Sequence, residues 1–561
     1  FARGCPRKSW RVATHLGGSD LGASIRAGLQ VAGRRLFLKL HHGAKEALLY
    51  QIVAIVPAMI IWVLLGLLAF IVLLVIYDVT QKSRAIVRNF PIVGHLRYIL
   101  ETFGPELRQY IVANNDEERP FSRDQRRWVY ASAKQQNNYF GFGTDNDLES
   151  SSNYLVIKNA TFPKNGKGVG DAYGIPCAKI LGGPRGRAKA FRPESIINVS
   201  GMSWGSLSGP AIEALNRGVK IAGCMHNTGE GGVSPHHKHG GDLIWQIGTG
   251  YFGCRNANGT FDKVKFLDVV AKNPVRAIEI KLSQGAKPGL GGLLPAAKVT
   301  SVVAEVRGIP MGQDCVSPNS HSAFSSTDEM LDFIEDLAES TGLPIGIKAA
   351  IGQLEFWHEL AALMKSGTRG VDYIAVDGGE GGTGAAPLAF SDHVALPFKV
   401  GMSQVFRIFA EAGLQHRIVF VGSGKLGFPN EAMTAFGLGC DLVHVAREAM
   451  LAIGCIQAQR CHTGHCPAGV ATQNRWLMRG LDPTLKSARL ANYVVTMRSD
   501  LLKLTHACGL EHPAALTGAH LDLLDDRYGT RPLHEVFGYQ KEWSVPSAKD
   551  LQDVIELMQK G

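Results

Sequence analysis

Charge is unevenly distributed along this chain, and two segments stand out by what they lack. Residues 1–51 contain only Asp20 and Glu46 as acids among many Arg and Lys, and residues 52–77 contain no charged side chain. At about 1.5 Å per residue, a helix over 52–77 exceeds the roughly 30 Å hydrocarbon thickness of a bilayer. A helix of a soluble protein is rarely apolar on every face for that length. The sequence therefore predicts a basic N-terminal arm over 1–51, typical of a targeting segment or a juxtamembrane arm, and a transmembrane helix over 52–77.

The basic residues also lack the interleaved aromatic side chains of a nucleic-acid-binding surface. The formal net charge is +10, and the basic residues concentrate before residue 130. This pattern excludes nucleic acid as the expected partner and favours charge that flanks a membrane. Basic residues lie on both sides of 52–77, so their distribution does not set the orientation of the span.

The ten cysteines do not form an even framework of spacings, which disfavours a disulfide-stabilised protein. Three of them, Cys455, Cys461 and Cys466, fall in one short loop, called the thiol loop below. Closely spaced thiolates suit zinc or an iron–sulfur cluster. Zinc could also use His462 or His465. Three buried thiols without a ligand role are a further interpretation.

Short apolar runs that end in polar or glycine residues, each followed by a helical segment, predict a parallel sheet covered on both faces. Six such runs, with two weaker ones, fit a (β/α)8 TIM barrel over 191–515, whose active site lies at the carboxyl ends of the strands. A doubly wound sheet is the alternative. The six runs lie at 196–200, 277–282, 344–349, 373–377, 418–422 and 442–446.

The segments around the barrel carry less information. Residues 78–190 are predicted to form a connector of helices and loops, with helices near 91–113 and 122–133. Residues 516–561 are predicted to form a C-terminal tail of short helices and loops. Neither segment shows a chemical motif.

A glycine loop follows the run at 418–422. The sequence Gly422-Ser423-Gly424 imitates a dinucleotide-binding fingerprint, but Asp441 precedes the next strand, whereas a ribose-binding acid should follow it. The loop is therefore interpreted as a phosphate site of the last two barrel loops, to which Ala446 and Arg447 also belong.

The thiol loop, Cys455-x5-Cys461-His-x3-Cys466-Pro-Ala-Gly-Val, resembles the cluster loop of the synthase domain of glutamate synthase. Other motifs extend this resemblance over about residues 150–515. In that family three cysteines hold a 3Fe–4S cluster beside FMN. The resemblance implies that these three cysteines bind such a cluster and that the glycine loop binds the phosphate of FMN.

The resemblance also names candidate residues for the flavin ring. The run after the first barrel strand matches a family stretch that lies against the flavin, and Lys348 is positioned like a lysine near the flavin N1 region. A glycine loop at 377–387 resembles the flavin loop of the family. The cofactor-binding candidates are Met202, Ser203, Trp204, Lys348, Gly378, Gly379, Gly382, Gly422, Ser423, Gly424, Ala446 and Arg447.

Three further candidates concern the substrate. Glu230 lies in an Asn-Thr-Gly-Glu-Gly-Gly motif and Lys287 in a Gln-Gly-Ala-Lys-Pro-Gly motif, both similar to the family, and Arg307 has the spacing of its substrate-binding arginine. Cationic side chains at these positions suit a dicarboxylate. Glu230 and Lys287, together with the flavin-site lysine, are the predicted catalytic residues. Leu290 and Leu293 replace the Glu and Gln that are common in the family, which reduces polar contacts at the substrate mouth.

These features predict a membrane-anchored FMN and iron–sulfur oxidoreductase that reduces a 2-imino acid, formed from 2-oxoglutarate and ammonia, to glutamate. The alternatives are an amino- or hydroxy-acid dehydrogenase that feeds a membrane acceptor, and a structural or electron-relay subunit of a membrane complex. No motif of a glutamine-hydrolysing domain or of a second NADPH or FAD domain is recognised. Ammonia is therefore expected from solution or a partner, and electrons from a separate donor protein. Cluster assembly and reduced flavin chemistry place the barrel on the cytoplasmic side or in the mitochondrial matrix, at the inner membrane.

Overall fold

A computed structural model describes residues 56–81, 83–139, 141–148, 151–164, 174–525, 527 and 529–560. The predicted basic arm and the first residues of the predicted span lie outside these ranges. The chain divides into two compact units, with the boundary between Val112 and Ala113.

The described part of the first unit is helical. Helix α1 (Val56–Thr80) is long and apolar enough to cross a membrane, and most of its apolar side chains are exposed. Helix α2 (Ala85–Asn89) follows, and α3 (Gly94–Leu107) continues into one π-helical segment (Arg108–Val112).

The second unit is built around a closed barrel of eight parallel strands. The order around the barrel is β2, β3, β4, β5, β8, β9, β10 and β11, and β11 pairs with β2 to close it. Continuous aliphatic runs form these strands because both faces are buried. The predicted (β/α)8 barrel is thus confirmed. The barrel strands are β2 (Ile197–Val199), β3 (Met225–Asn227), β4 (Asp242–Ile247), β5 (Val275–Lys281), β8 (Ile345–Ala349), β9 (Tyr373–Asp377), β10 (Val419–Ser423) and β11 (Leu442–Val445). Between β5 and β8, β6 (Leu293–Leu294) and β7 (Cys315–Val316) pair antiparallel in a separate two-stranded sheet.

Helices surround the barrel, and several begin at a side-chain cap. Ser208, for example, accepts a hydrogen bond from the backbone N–H of Ala211 at the start of α5. Helix α15, which contains Leu490, packs tightly on α5: a Cβ atom at Gly218 would lie only 2.8 Å from Leu490. The helices are α4 (Arg123–Ala133), α5 (Gly209–Ala222), α6 (Lys263–Lys272), α7 (Ser301–Arg307), α8 (Thr327–Thr341), α9 (Glu355–Met364), α10 (Leu388–His393), α11 (Phe398–Glu411), α12 (Pro429–Gly437), α13 (Arg447–Ala452), α14 (Arg475–Met478) and α15 (Pro483–Ala507).

The tail differs from the expectation of helices and loops alone. Strand β1 (Leu155–Ile157) of the connector pairs antiparallel with β12 (Leu521–Leu524), which pairs with β13 (Thr530–Pro532). Such short strands carry no periodic pattern, and their pairing partners lie far away in sequence. Two helices complete the tail, α16 (Leu533–Val536) and α17 (Ala548–Lys560).

Partly buried ion pairs lie at the amino end of the barrel. Glu335 of α8 accepts from Arg185 at 2.5 Å and from Arg187 at 2.7 Å, and Arg187 also pairs with Asp372 at 3.0 Å. Although burial raises the pKa of Glu335, hydrogen bonds from Arg187 and the Gly370 backbone, with the two arginine charges, hold it below its ordinary value. Ion pairs therefore stabilise the amino end of the barrel, and the carboxyl end remains available for a functional site.

Candidate functional site

A cavity of about 580 Å³ lies at the carboxyl end of the barrel. It is lined by side chains from strand ends and from the loops that follow them, including those after β2, β3, β5, β9, β10 and β11. Pockets of this size accommodate cofactors and small substrates. Among the predicted site residues, those that line it are Met202, Ser203, Glu230, Lys287, Lys348, Gly382, Ser423, Gly424, Ala446, Arg447 and Cys461.

The glycine loops line one side of the cavity. Gly424 has a φ of +128°, a conformation that favours glycine, and a Cβ atom at Gly382 would lie 2.9 Å from Arg447. Arg447 donates a hydrogen bond to the carbonyl oxygen of Glu380, which fixes its guanidinium beside the loop. Lys425, which sequence reasoning missed, adds a second cation on this side.

Three predicted glycines lie behind the cavity wall. A Cβ atom at Gly378 would lie 2.5 Å from Phe398, and one at Gly422 would lie 2.9 Å from Leu426. Gly379 faces the backbone near Ala395. These glycines allow close packing of the loops, and none of them lines the cavity.

A lysine and an aspartate meet at the ends of β8 and β9. Lys348 Nζ lies 3.6 Å from Asp377 Oδ1 and 3.5 Å from Ser200 Oγ. The other carboxylate oxygen, Asp377 Oδ2, accepts a 2.8 Å hydrogen bond from the Gly285 backbone N–H. Burial raises the pKa of Asp377, but the charge of Lys348 and hydrogen bonds from the Gly285 backbone and the Ser423 side chain hold it below its ordinary value. The aspartate is therefore ionised.

His444 of β11 lines the cavity beside this pair. It is 3% exposed, and its Nε2 has no hydrogen-bond partner among the described residues. Burial, together with the charge of Lys348, lowers the pKa of His444 to about 3. The ring is therefore neutral and offers an unpaired polar atom at the cavity wall.

A second charged group lies at the ends of β3 and β5. Lys281 Nζ is 3.0 Å from Glu230 Oε2, and it donates to Gln284 Oε1 at 2.5 Å. Lys287 Nζ donates to the carbonyl oxygen of Gly291 at 2.5 Å. Burial raises the pKa of Glu230, but Lys281 and then Lys287 and Arg307 hold it below its ordinary value, while burial lowers the pKa of Lys287. A single carboxylate thus lies among several cations.

Arg307 and Trp204 do not line this cavity. Arg307 Nη2 donates to the Trp204 carbonyl oxygen at 3.0 Å, and its guanidinium lies 5.0 Å from the Phe252 ring. Trp204 is 4% exposed and packs against His236. Both residues therefore support the wall behind Glu230.

The thiol loop reaches the cavity through Cys461. Lys298 Nζ donates to the Cys461 carbonyl oxygen at 2.8 Å, and burial lowers the pKa of this lysine while the thiols of Cys461 and Cys466 oppose that effect. Cys466 is 7% exposed, and burial raises the pKa of Cys455 to about 12. Lys298 lines the cavity as well, so it lies between the loop and the barrel centre.

The connector holds the thiol loop in place. Tyr130 of α4 donates to the Cys455 carbonyl oxygen at 2.8 Å. The Gln457 side chain accepts from the Phe121 N–H and donates to Glu118 and to the Phe121 carbonyl oxygen, each at 3.1 Å. The loop geometry is therefore set by residues that precede the barrel.

The spacing of the three thiols is wider than one metal ion needs. Across the described residues, no three ligand atoms from these cysteines and from His462 or His465 lie within 4.8 Å of one another. A tetrahedral zinc ion with sulfur ligands at about 2.3 Å brings sulfur atoms to about 3.8 Å. The observed loop therefore does not have the geometry of a mononuclear zinc site.

Several cavity residues were not predicted from sequence: Gln246, Lys281, Lys298, Asp377, Lys425 and His444. Polar residues at or near the carboxyl end of a buried strand were the available signal for Gln246, Lys281, Asp377 and His444. Lys298 and Lys425 lie in loops, and nothing in their local sequence indicates that they face the cavity.

Together these features define a (β/α)8-barrel protein with charged groups, glycine loops and a cysteine loop around one cavity. Residues 185–511 match the conserved region in glutamate synthase. The chain belongs to the glutamate synthase family of oxidoreductases, as its resemblance had indicated.

Named relatives support this assignment. The chain is 37% identical over 480 residues to the glutamate synthase large subunit-like protein YerD of Bacillus subtilis (strain 168), which covers 80% of this chain and 91% of that protein. It is 34% identical to the archaeal glutamate synthase [NADPH] of Methanocaldococcus jannaschii, over 59% of this chain and 62% of that protein. The chain thus matches less than two thirds of the length of the archaeal enzyme.

Among solved structures the likeness is distant. A mandelate oxidase mutant with a monooxide FMN adduct has a TM-score of 0.37 at 14% identity, over 67% of this chain and 88% of that one. A flavocytochrome b2 mutant with sulfite bound has a TM-score of 0.42 at 14% identity, over 77% of this chain and 86% of that one.

Proposed function

We propose that this protein is a membrane-anchored FMN and iron–sulfur oxidoreductase that reduces the 2-imino acid formed from 2-oxoglutarate and ammonia to glutamate. The observation that carries the proposal is a shared cavity. Cys461 of the thiol loop lines this cavity, and so does Arg447 beside the glycine loops. Glu230 lines it as well, within the charged group at the ends of β3 and β5, which is called the cationic cluster below. Electron entry, cofactor binding and substrate binding can therefore occur in one enclosed space.

The residues on one side of the cavity suit FMN. Ser423, Gly424, Ala446 and Arg447 combine small side chains with a cation, as a phosphate group requires. On the side of the cavity where the flavin ring would lie, Met202 and Ser203 leave room for a flat ring, and Lys348 would place positive charge beside it. The predicted Trp204, Gly378, Gly379 and Gly422 would shape this wall from behind.

The thiol loop suits a cluster better than a single ion. Thiolates that bind separate iron atoms of a cluster lie farther apart than the ligands of one zinc ion. When bound, FMN would supply hydride transfer, and a 3Fe–4S cluster on Cys455, Cys461 and Cys466 would supply single-electron entry. Lys298 would place a positive charge between the two groups.

The cationic cluster suits a dicarboxylate substrate. Lys281 and Lys287 offer ammonium groups beside the cavity, while the ionised Glu230 can orient an imino nitrogen by accepting a hydrogen bond from its N–H. Burial lowers the pKa of Lys287, which makes its Nζ a better proton donor at neutral pH. Arg307 would act indirectly, by keeping the Glu230 carboxyl ionised from behind the wall.

Helix α1 would anchor the protein in a membrane, with the barrel on the cytoplasmic or matrix side. Electrons would come from a separate donor protein or a membrane complex, and ammonia from solution or a partner. Protease protection in sealed vesicles of known sidedness tests this location. Cleavage of the barrel from the outer face would contradict the orientation.

The first experiment is a combined iron, zinc and flavin assay of detergent-purified protein with low-temperature EPR. We expect about three irons and one FMN per chain, with an oxidised-state EPR signal. Reduced protein should then be reoxidised by 2-oxoglutarate plus ammonia. Zinc without flavin would overturn the cofactor assignment, and flavin without turnover would favour an electron-relay subunit.

One observation favours a second candidate, oxidation of an amino or hydroxy acid with electrons passed to a membrane acceptor. Leu293 lines the cavity and is 43% exposed, where the family commonly has a polar residue. Leu290 does not line the cavity, so Leu293 is the replacement that makes the cavity lining less polar. If amino or hydroxy acids reduce the flavin faster than 2-oxoglutarate and ammonia reoxidise it, the direction of our proposal is wrong.

A further inference from the structure

Helix α3 carries an exposed apolar stripe. Leu96, Ile99, Leu100, Phe103 and Leu107 follow the spacing i, i+3, i+4, i+7 and i+11, which places them on one face of a helix. All five are exposed, and Phe103 is 60% exposed. An apolar face of this kind is expensive to leave in water, so it requires an occupant.

The amino end of α3 is fixed to the carboxyl-terminal turns of α1. Asp78 of α1 is fully buried, and its Oδ2 accepts from the Ile92 backbone N–H at 2.9 Å. Its Oδ1 lies 2.8 Å from His95 Nε2 in the first turn of α3. Arg88 also donates to the Val79 carbonyl oxygen at 3.1 Å. The stripe therefore begins where the apolar helix ends, and it cannot move far from that point.

The charged side chains on α3 are Arg97, Glu101 and Glu106, and three further arginines flank the helix in sequence. The flanking arginines Arg84, Arg88 and Arg108 are exposed. Arg97 pairs with Glu101 at 2.9 Å on the polar face. An apolar helix face binds at the headgroup region of a bilayer in proportion to the apolar area it buries there, and flanking arginines add attraction to anionic lipids.

We propose that α3 lies in the membrane surface, with the stripe in the boundary between headgroups and acyl chains, beside the point where α1 leaves the bilayer. The occupant is lipid, with anionic headgroups near the arginines. The proposal rests on the membrane location of α1 given above. It makes 94–107 a second membrane contact, which would restrict the orientation of the chain at the surface.

The test uses the full chain in vesicles of phosphatidylcholine and phosphatidylglycerol. In three separate variants, the photoreactive residue p-benzoylphenylalanine replaces Phe103 on the stripe, Glu101 on the opposite face, or Leu65 within α1. After illumination, mass spectrometry identifies the adducts. We expect lipid adducts from positions 103 and 65, and at least five-fold fewer from position 101.

The outcomes separate this inference from the membrane location. Lipid adducts at position 65 without any at position 103 would overturn the inference and leave the anchor intact. Adducts of position 103 with a second copy, or with another part of the chain, would show a protein interface and would also overturn it. No lipid adduct at position 65 would remove the anchor, and this inference with it.

Discussion

The loops after β5 and β9 touch so closely that a single methyl group should disturb the proposed flavin site. A Cβ atom at Gly285 would lie 1.8 Å from the Gly378 carbonyl oxygen, whereas ordinary contact begins at 3.4 Å. Gly285→Ala must therefore separate the two loops by the difference, 3.4 − 1.8 = 1.6 Å. That shift breaks the 2.8 Å hydrogen bond from Gly285 to Asp377, the carboxylate next to Lys348. Overpacking of this kind costs about 1–3 kcal/mol.

If that cost falls on the cofactor-bound state, the dissociation constant for FMN rises about 5- to 150-fold. The assay is quenching of flavin fluorescence as FMN is added back to the apoprotein, with thermal unfolding measured in parallel. Gly352→Ala is the matched control, because a Cβ atom there meets nothing within 4 Å. If Gly285→Ala matches this control in both FMN affinity and melting temperature, the two loops are not in contact in solution, and the reasoning fails.

Three further predictions concern charge and the thiol loop. Glu335→Gln should lower the free energy of unfolding by about 1–3 kcal/mol, because it leaves the partly buried Arg185 without an ion-pair partner among the described residues and Arg187 with Asp372 alone. The folded-state pKa of Glu335 lies below its ordinary value of 4.5, so this stabilisation is fully present above about pH 4.5 and is lost as the pH falls through the folded-state pKa. Urea unfolding should therefore show the unfolding free energies of the mutant and wild-type proteins converging on acidification. Cys461→Ser should lose iron but keep most of its FMN, and full iron content by metal analysis would contradict the ligand assignment. Lys281→Met should raise the pKa of Glu230, since burial then acts with less opposition, and the acid limb of the kcat/KM profile should move to higher pH. An unmoved limb would exclude a role for the ionised Glu230.

The sequence predicted the barrel well because its strands are continuous aliphatic runs with one polar residue at the end. The two weaker strands, β3 and β4, are less clear, since β3 is short and contains His226, while β4 contains Gln246. The site was harder to predict where it depends on distant contacts. Lys298 reaches Cys461, which lies 163 residues later, and no local pattern records that contact. Arg307 is the opposite case, a predicted site residue that does not line the cavity. Its spacing in the sequence could not show that its guanidinium donates to the Trp204 carbonyl oxygen.

The connector has a larger role than its composition indicated. Its Phe121 donates to Gln457 of the thiol loop, and the Phe121 ring lies 5.1 Å from the guanidinium of Arg447 and 5.5 Å from the ammonium group of Lys425. One aromatic residue thus contacts both the loop proposed to hold the cluster and the cations proposed to hold the flavin phosphate. Because Phe121 is 2% exposed, its removal would leave a space that both groups border. The relative position of the two proposed redox groups would therefore be determined in part outside the barrel, by a residue that belongs to the same compact unit.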